Sequence, residues 1–132
     1  MKKTKNYSYK NNDLAKGCEL CVKGRKLVIF ITGVCQNKCY FCPISEAKYK
    51  KDVIFANEMP IENINDIIHE AKLCSARGAG ITGGDPLTRL DRTLRVIKLL
   101  RDKFGKAFHI HLYTPLNNAS PDVIKKLENA GL

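Results

Sequence analysis

The sequence predicts an α/β fold: a partial (β/α) barrel of TIM type with about three βα units. Strand-like and helix-like patterns alternate three times along the chain, the order that produces right-handed crossovers and a parallel sheet. The first strand is a continuous apolar run, as expected where a parallel sheet is covered on its faces. The chain has 132 residues, whereas a complete eight-unit barrel takes around 250. About half a core is therefore expected.

Residues 27–31 (LVIFI), set between Gly24 and Gly33, form the first strand; their length and β-branched content suit burial on both faces. The first helix is expected to begin near Asn63, with Ile64, Ile67, Ile68, Ala71 and Cys74 at helical spacing and Gly78 beyond its end. Residues 79–82 make a short second strand running into Gly83-Gly84-Asp85-Pro86. A second helix opens with Thr88 and Asp91 as a capping-box-like pair. It carries Leu90, Leu94, Ile97, Leu100 and Phe104 on one stripe and stops at Gly105. Residues 107–114 alternate as a third strand, closed by Pro115. The last helix has Ser120 as N-cap, Pro121 at its first position, Val123, Ile124, Leu127 and Ala130 as its stripe, and Gly131 as its stop.

Two segments follow from this reading: residues 1–25, a polar, basic, flexible leader with a C-x2-C pair, and residues 26–132, the α/β core. The chain ends where a fourth strand should pair with the third. The remaining barrel strands are expected from further sequence or from a second chain. A composition of 44% hydrophobic and 27% charged residues, with mean hydropathy −0.26, excludes a disordered or membrane-embedded chain. No apolar stretch approaches the roughly 20 residues of a spanning helix, and residues 1–13 lack a signal-peptide apolar region. A cytoplasmic, reducing setting is expected, in which clustered cysteines bind metal more often than they form disulfides. The net charge is +10. Up to Lys26 there are eight basic and two acidic residues, so much of the excess reads as a solvated arm. Nucleic acid is permitted by the charge but has no interleaved aromatic platform to support it.

Six cysteines dominate the composition. Cys35, Cys39 and Cys42 form C-x3-C-x2-C directly after the first strand. Three thiolates from one loop can hold three irons of a cubane cluster and leave the fourth iron open to a ligand. An alternative grouping takes Cys18, Cys21, Cys39 and Cys42, whose spacing fits a zinc ribbon and would make the chain a small nucleic-acid-binding module. That grouping leaves Cys35 without a role and places an apolar strand between two knuckles.

With Cys35-x3-Cys39-x-Phe41-Cys42 after one strand and Gly83-Gly84-Asp85-Pro86 after the next, the chain resembles the radical SAM superfamily over about residues 26–132. In general character it is similar to the activating-enzyme and molybdenum-cofactor-biosynthesis branches. The resemblance implies that Cys35, Cys39 and Cys42 ligate a [4Fe-4S] cluster whose open iron chelates S-adenosylmethionine. It implies that Phe41 lies against the adenine, and that Gly83, Gly84 and Asp85 match the family's Gly-Gly-Glu motif, which hydrogen-bonds the methionine amino group. Asp85 departs from that motif by one methylene and still offers a carboxylate to an ammonium. The implied chemistry is reductive cleavage of S-adenosylmethionine to a 5′-deoxyadenosyl radical, followed by hydrogen abstraction from a substrate not specified by the sequence. An external electron donor of ferredoxin or flavodoxin type is implied with it, since the cofactor carries the hard chemistry and the protein positions it.

Other residues read more plainly. Cys74 sits on an apolar helix stripe as a small hydrophobe. Cys18 and Cys21 lack further thiols to complete a second site. His109, His111 and Tyr113 share one face of the third strand, facing the barrel interior, with His111 and Tyr113 as substrate-side candidates and His109 as an internal hydrogen-bonding group. His69 reads as a surface residue, and Lys48, Lys50 and Lys51 as a solvated connector.

Overall fold

The computed structural model of the chain describes residues 1–5 and 7–132. Two short strands, β1 (Lys2–Lys3) and β2 (Tyr9–Lys10), pair antiparallel by themselves. There follow α1 (Lys16–Val22), β3 (Lys26–Phe30), β4 (Phe55–Ala56), β5 (Met59–Pro60), α2 (Asp66–Leu73) and β6 (Gly78–Thr82). A 3-10 turn (Pro86–Arg89) then leads into α3 (Leu90–Phe104), β7 (His109–Leu112) and α4 (Pro121–Ala130).

The main sheet has the order β5-β4-β3-β6-β7, with β3, β6 and β7 parallel and the β4–β5 hairpin antiparallel on the outer side of β3. Three consecutive strand–helix units thus appear, as the alternation predicts. The sheet is mixed and open, bounded by β5 and β7, rather than closed into a barrel. The hairpin escaped the sequence reading because strands of two residues show no periodicity.

Register sorts the side chains onto two faces. Leu27, Ala79 and Ile110 stand side by side in β3, β6 and β7, as do Ile29 and Ile81. These pack with Ile67 of α2, Val96, Ile97 and Leu100 of α3, and Leu127 and Ala130 of α4 in one core. Each fully buried aliphatic side chain contributes about 1.5–3 kcal/mol. The other face carries Lys26 and Val28, Gly78 and Gly80, and His109 and His111. Val28 is 42% exposed there, so β3 is not buried on both faces; a single short helix covers only part of that surface.

That helix is α1. Residues 1–25 are not a uniformly flexible leader, because Gly17 and Leu20 are buried. A Cβ on Gly17 would stand 2.7 Å from the His111 ring, and one on Gly78 2.7 Å from Leu20. Two helix starts also differ from expectation. Residues 63–65 form a turn, closed by Asn65 N donating to Asn63 Oδ1 (2.9 Å) and Asn63 N to Asp66 Oδ2 (3.0 Å), before α2 begins. Thr88 is not an N-cap: Asp85 caps the 3-10 turn by accepting from Leu87 N at 3.1 Å, and Thr88 Oγ1 donates to the Asp85 carbonyl. Ser120 does cap α4, accepting from Val123 N, and Gly131 ends that helix in the left-handed region at φ 102°.

Candidate cofactor site

The cysteine loop leaves the C-terminal end of β3 through a root that is fastened on both sides. Towards β6, Gly84 N donates to Thr32 O (2.7 Å) and Asp85 N to Val34 O (2.9 Å). Towards the returning chain, Gly33 N donates to Lys51 O (2.8 Å) and Lys50 N to Gly33 O (3.0 Å). Asp52 locks that return. Its carboxylate accepts from Arg92 (2.7 Å), Arg89 (2.8 Å) and Thr32 Oγ1 (2.8 Å), while Arg92 also donates to Ile31 O. The Arg92 guanidinium, with Arg89 and Thr32, holds the Asp52 carboxyl well below the usual carboxylate range.

Cys35, Cys39 and Cys42 all line one cavity of about 840 Å³ at this end of the sheet. Cys35 is half-buried, accepting from Asn37 N at 3.4 Å, and Cys39 and Cys42 are exposed. Cys42 N donates to Cys39 O, which turns the loop between them. Among the described residues no three metal-type side chains are gathered around a single point. A cubane asks for something else: each thiolate binds a different iron, so three thiolates need only surround a shared space. Three cysteine sulfurs on one cavity of about 840 Å³, whose carboxylate Glu58 is engaged by Lys48, fit such a group. Phe41 also lines the cavity, 69% exposed, in edge contact with Tyr40 at 5.1 Å.

Gly83 and Gly84 face the same cavity. Gly83 has φ 152°, and a Cβ there would stand 2.5 Å from Thr32 O. The Asp85 side chain lies elsewhere. It is 1% exposed, and its carboxylate accepts from Leu87 N, Thr114 Oγ1 (2.9 Å) and Asn118 Nδ2 (2.8 Å). It joins the end of β6 to the segment after β7 and does not face the cavity.

Comparison with known proteins bears on this arrangement. The family model of the radical SAM superfamily matches residues 29–132. The chain belongs to the radical SAM superfamily. A Methanocaldococcus jannaschii protein assigned as a glycyl-radical enzyme activating enzyme is 50% identical over 119 residues, covering 90% of this chain. The chain spans 32% of that protein's length. No solved structure matches.

In this radical SAM chain the zinc-ribbon set is not brought together. Cys39 and Cys42 line the cavity whereas Cys18 and Cys21, on α1, do not, and among the described residues no group of three metal-type side chains includes them. Cys18 and Cys21 are exposed one helical turn apart. Cys74 packs against the core from the end of α2. His69 is exposed. Lys48 is not a solvated connector: its ammonium pairs with Glu58 at 2.8 Å and lies 4.3 Å from the Phe55 ring centroid.

Tyr113 lines the cavity, whereas His111 lies deeper on the same face. His109 Nε2 is 3.3 Å from His111 Nδ1. Burial and the nearby Lys26 ammonium lower the pKa of both imidazoles. Lys26 and Asp52 were missed by sequence reasoning. Strand alternation places Lys26 on the face of Val28 and His111, a usable signal; nothing local distinguishes Asp52 from other surface acids.

No helix among the described residues is long and apolar enough to cross a membrane.

Proposed function

We propose that this chain is the cofactor-binding part of a radical SAM enzyme that uses one [4Fe-4S] cluster and S-adenosylmethionine. The observation that carries the reading is the meeting of Cys35, Cys39 and Cys42 with the Gly83-Gly84 turn around one cavity at the C-terminal end of the parallel strands. Catalytic groups of (β/α) folds collect at that end.

The three thiolates would hold the cluster, and Gly83 and Gly84 would present backbone groups to the methionine moiety with no Cβ between. Phe41 would lie along the adenine. Asp85 acts from behind, keeping the glycine turn in place rather than touching the ammonium through its carboxylate. When bound, the cluster supplies the one electron that breaks the sulfonium bond and yields a 5′-deoxyadenosyl radical. An external donor of ferredoxin or flavodoxin type would provide that electron. The substrate is taken to be a glycine residue of a partner protein, by similarity to the archaeal relative, with further barrel strands supplied outside this chain.

The test is anaerobic reconstitution with iron and sulfide. Brown protein with a broad absorbance shoulder, and a reduced-cluster electron paramagnetic resonance signal altered by S-adenosylmethionine, are expected. Colourless protein that takes up zinc instead would overturn the reading.

A further inference from the structure

Lys26 begins β3, at the end of the sheet away from the cysteines, yet its side chain reaches across β6 towards Tyr113. The ammonium donates to the Tyr113 hydroxyl at 3.2 Å. Gly80 makes this possible: a Cβ there would stand 2.7 Å from Lys26 Cε, 3.0 Å from His111 Nε2 and 3.3 Å from Lys26 Nζ. With no side chain on Gly80, the lysine stem and the His111 ring lie together over that strand.

The charges around Gly80 do not balance. Lys26 makes no ion pair among the described residues, whose four salt bridges involve other cations. Its partner is a phenol, which accepts a hydrogen bond and leaves the positive charge uncompensated. The buried His111 Nε2 has no hydrogen-bond partner, and the charged side chain acting on His111 is the cation Lys26 itself. An ammonium without a counter-ion is open to a charge-assisted bond to an anion.

We propose that Lys26, Tyr113 and His111 form an anion subsite on the inner wall of the sheet, beside the cluster cavity, which takes a carboxylate or phosphate group of the substrate. Tyr113 belongs to both spaces, lining the cavity while bonded to Lys26. The subsite rests on the proposed function in one respect: the cavity must be where substrate meets the cofactor. It adds that the substrate brings a negative group to the side of the cavity opposite the cysteine loop.

The test uses histidine imidazole resonances of the reconstituted chain with S-adenosylmethionine at saturation. There are three histidines, and exposed His69 serves as internal reference. Inorganic phosphate and acetate are titrated separately. A saturable shift at His111, with His69 unmoved, is expected. Lys26→Met should weaken it by at least about tenfold, roughly 1.4 kcal/mol, while Lys26→Arg keeps it. Preference for phosphate or for acetate names the source of the anion, and either result supports the subsite. No saturable shift with either anion, an equal shift in a folded Lys26→Met variant, or anion binding that S-adenosylmethionine displaces would overturn it. Cluster absorbance of the same samples reads the proposed function separately.

Discussion

The backbone amide of Asp85 donates to the carbonyl of Val34 at 2.9 Å, fastening the glycine turn after β6 to the root of the cysteine loop. The two motifs singled out in the sequence are one structure, and an ideal Cβ on Gly84 would stand 2.5 Å from that same carbonyl. Gly84→Val should therefore lower iron content and S-adenosylmethionine response together. Retention of full iron with only cosubstrate binding lost would show that the latch is dispensable.

Replacement of Cys35, Cys39 or Cys42 by Ala is expected to abolish the cluster, because each thiolate serves its own iron. The double Cys18→Ala, Cys21→Ala variant should retain it, since those thiols sit on α1 and outside the cavity. Iron and sulfide analysis checks this. Loss of all iron in the double variant, with Cys35→Ala unaffected, would return the zinc-type grouping.

Asp85→Ala would leave Leu87 N, Thr114 Oγ1 and Asn118 Nδ2 without their acceptor in a site 1% exposed. Stranding buried donors costs about 1–3 kcal/mol each where water cannot enter, so a drop in thermal midpoint of several degrees is expected. A stability equal to that of the parent chain would contradict the buried role.

Asp52 is ordinarily protonated near its reference value of 3.8, and the Arg92, Arg89 and Thr32 hydrogen bonds lower that in the folded chain. Its contribution is therefore present above about 3.8 and is lost as pH falls below it. Asp52→Asn should reduce stability at neutral pH by about 1 kcal/mol, the pair being partly exposed, and should flatten the acid limb of the unfolding curve. Parallel acid limbs for the two proteins would sink the assignment.

The lowered pKa values of His109 and His111 act in the same sense. From the reference 6.5 downwards, the unfolded chain takes up protons before the folded one, so stability falls as pH drops below that value. Lys26, Lys16 and Arg101 surround the pair, and α1 rests on the His111 ring through Gly17. Proteolysis within α1 should speed up on acidification to pH 5.5, and His111→Gln should remove most of that acceleration. Unchanged cleavage rates across this range would refute it.

Much of this arrangement was legible in the chain itself, and what was legible is local. The three strand–helix units, the Ser120 cap, the Gly131 stop and the cysteine spacing depend on residues within a turn or a strand of one another. Local periodicity and capping chemistry are enough to specify them. Asp85 shows where that stops. Its motif could be read, but its hydrogen-bond partners Thr114 and Asn118 lie 29 and 33 residues away, and only the parallel register of β6 and β7 brings them to it. The same holds for Asp52 with Arg92, 40 residues on, and for Lys26 with Tyr113, 87 residues on. Such pairs have no fixed spacing in sequence, because right-handed crossovers of arbitrary length stand between them. Local pattern thus determined the three strand–helix units and the cysteine spacing, while α1 and the β4–β5 hairpin escaped it; tertiary structure decided which polar groups face the cavity, since burial and long-range pairing exist only once the sheet has assembled.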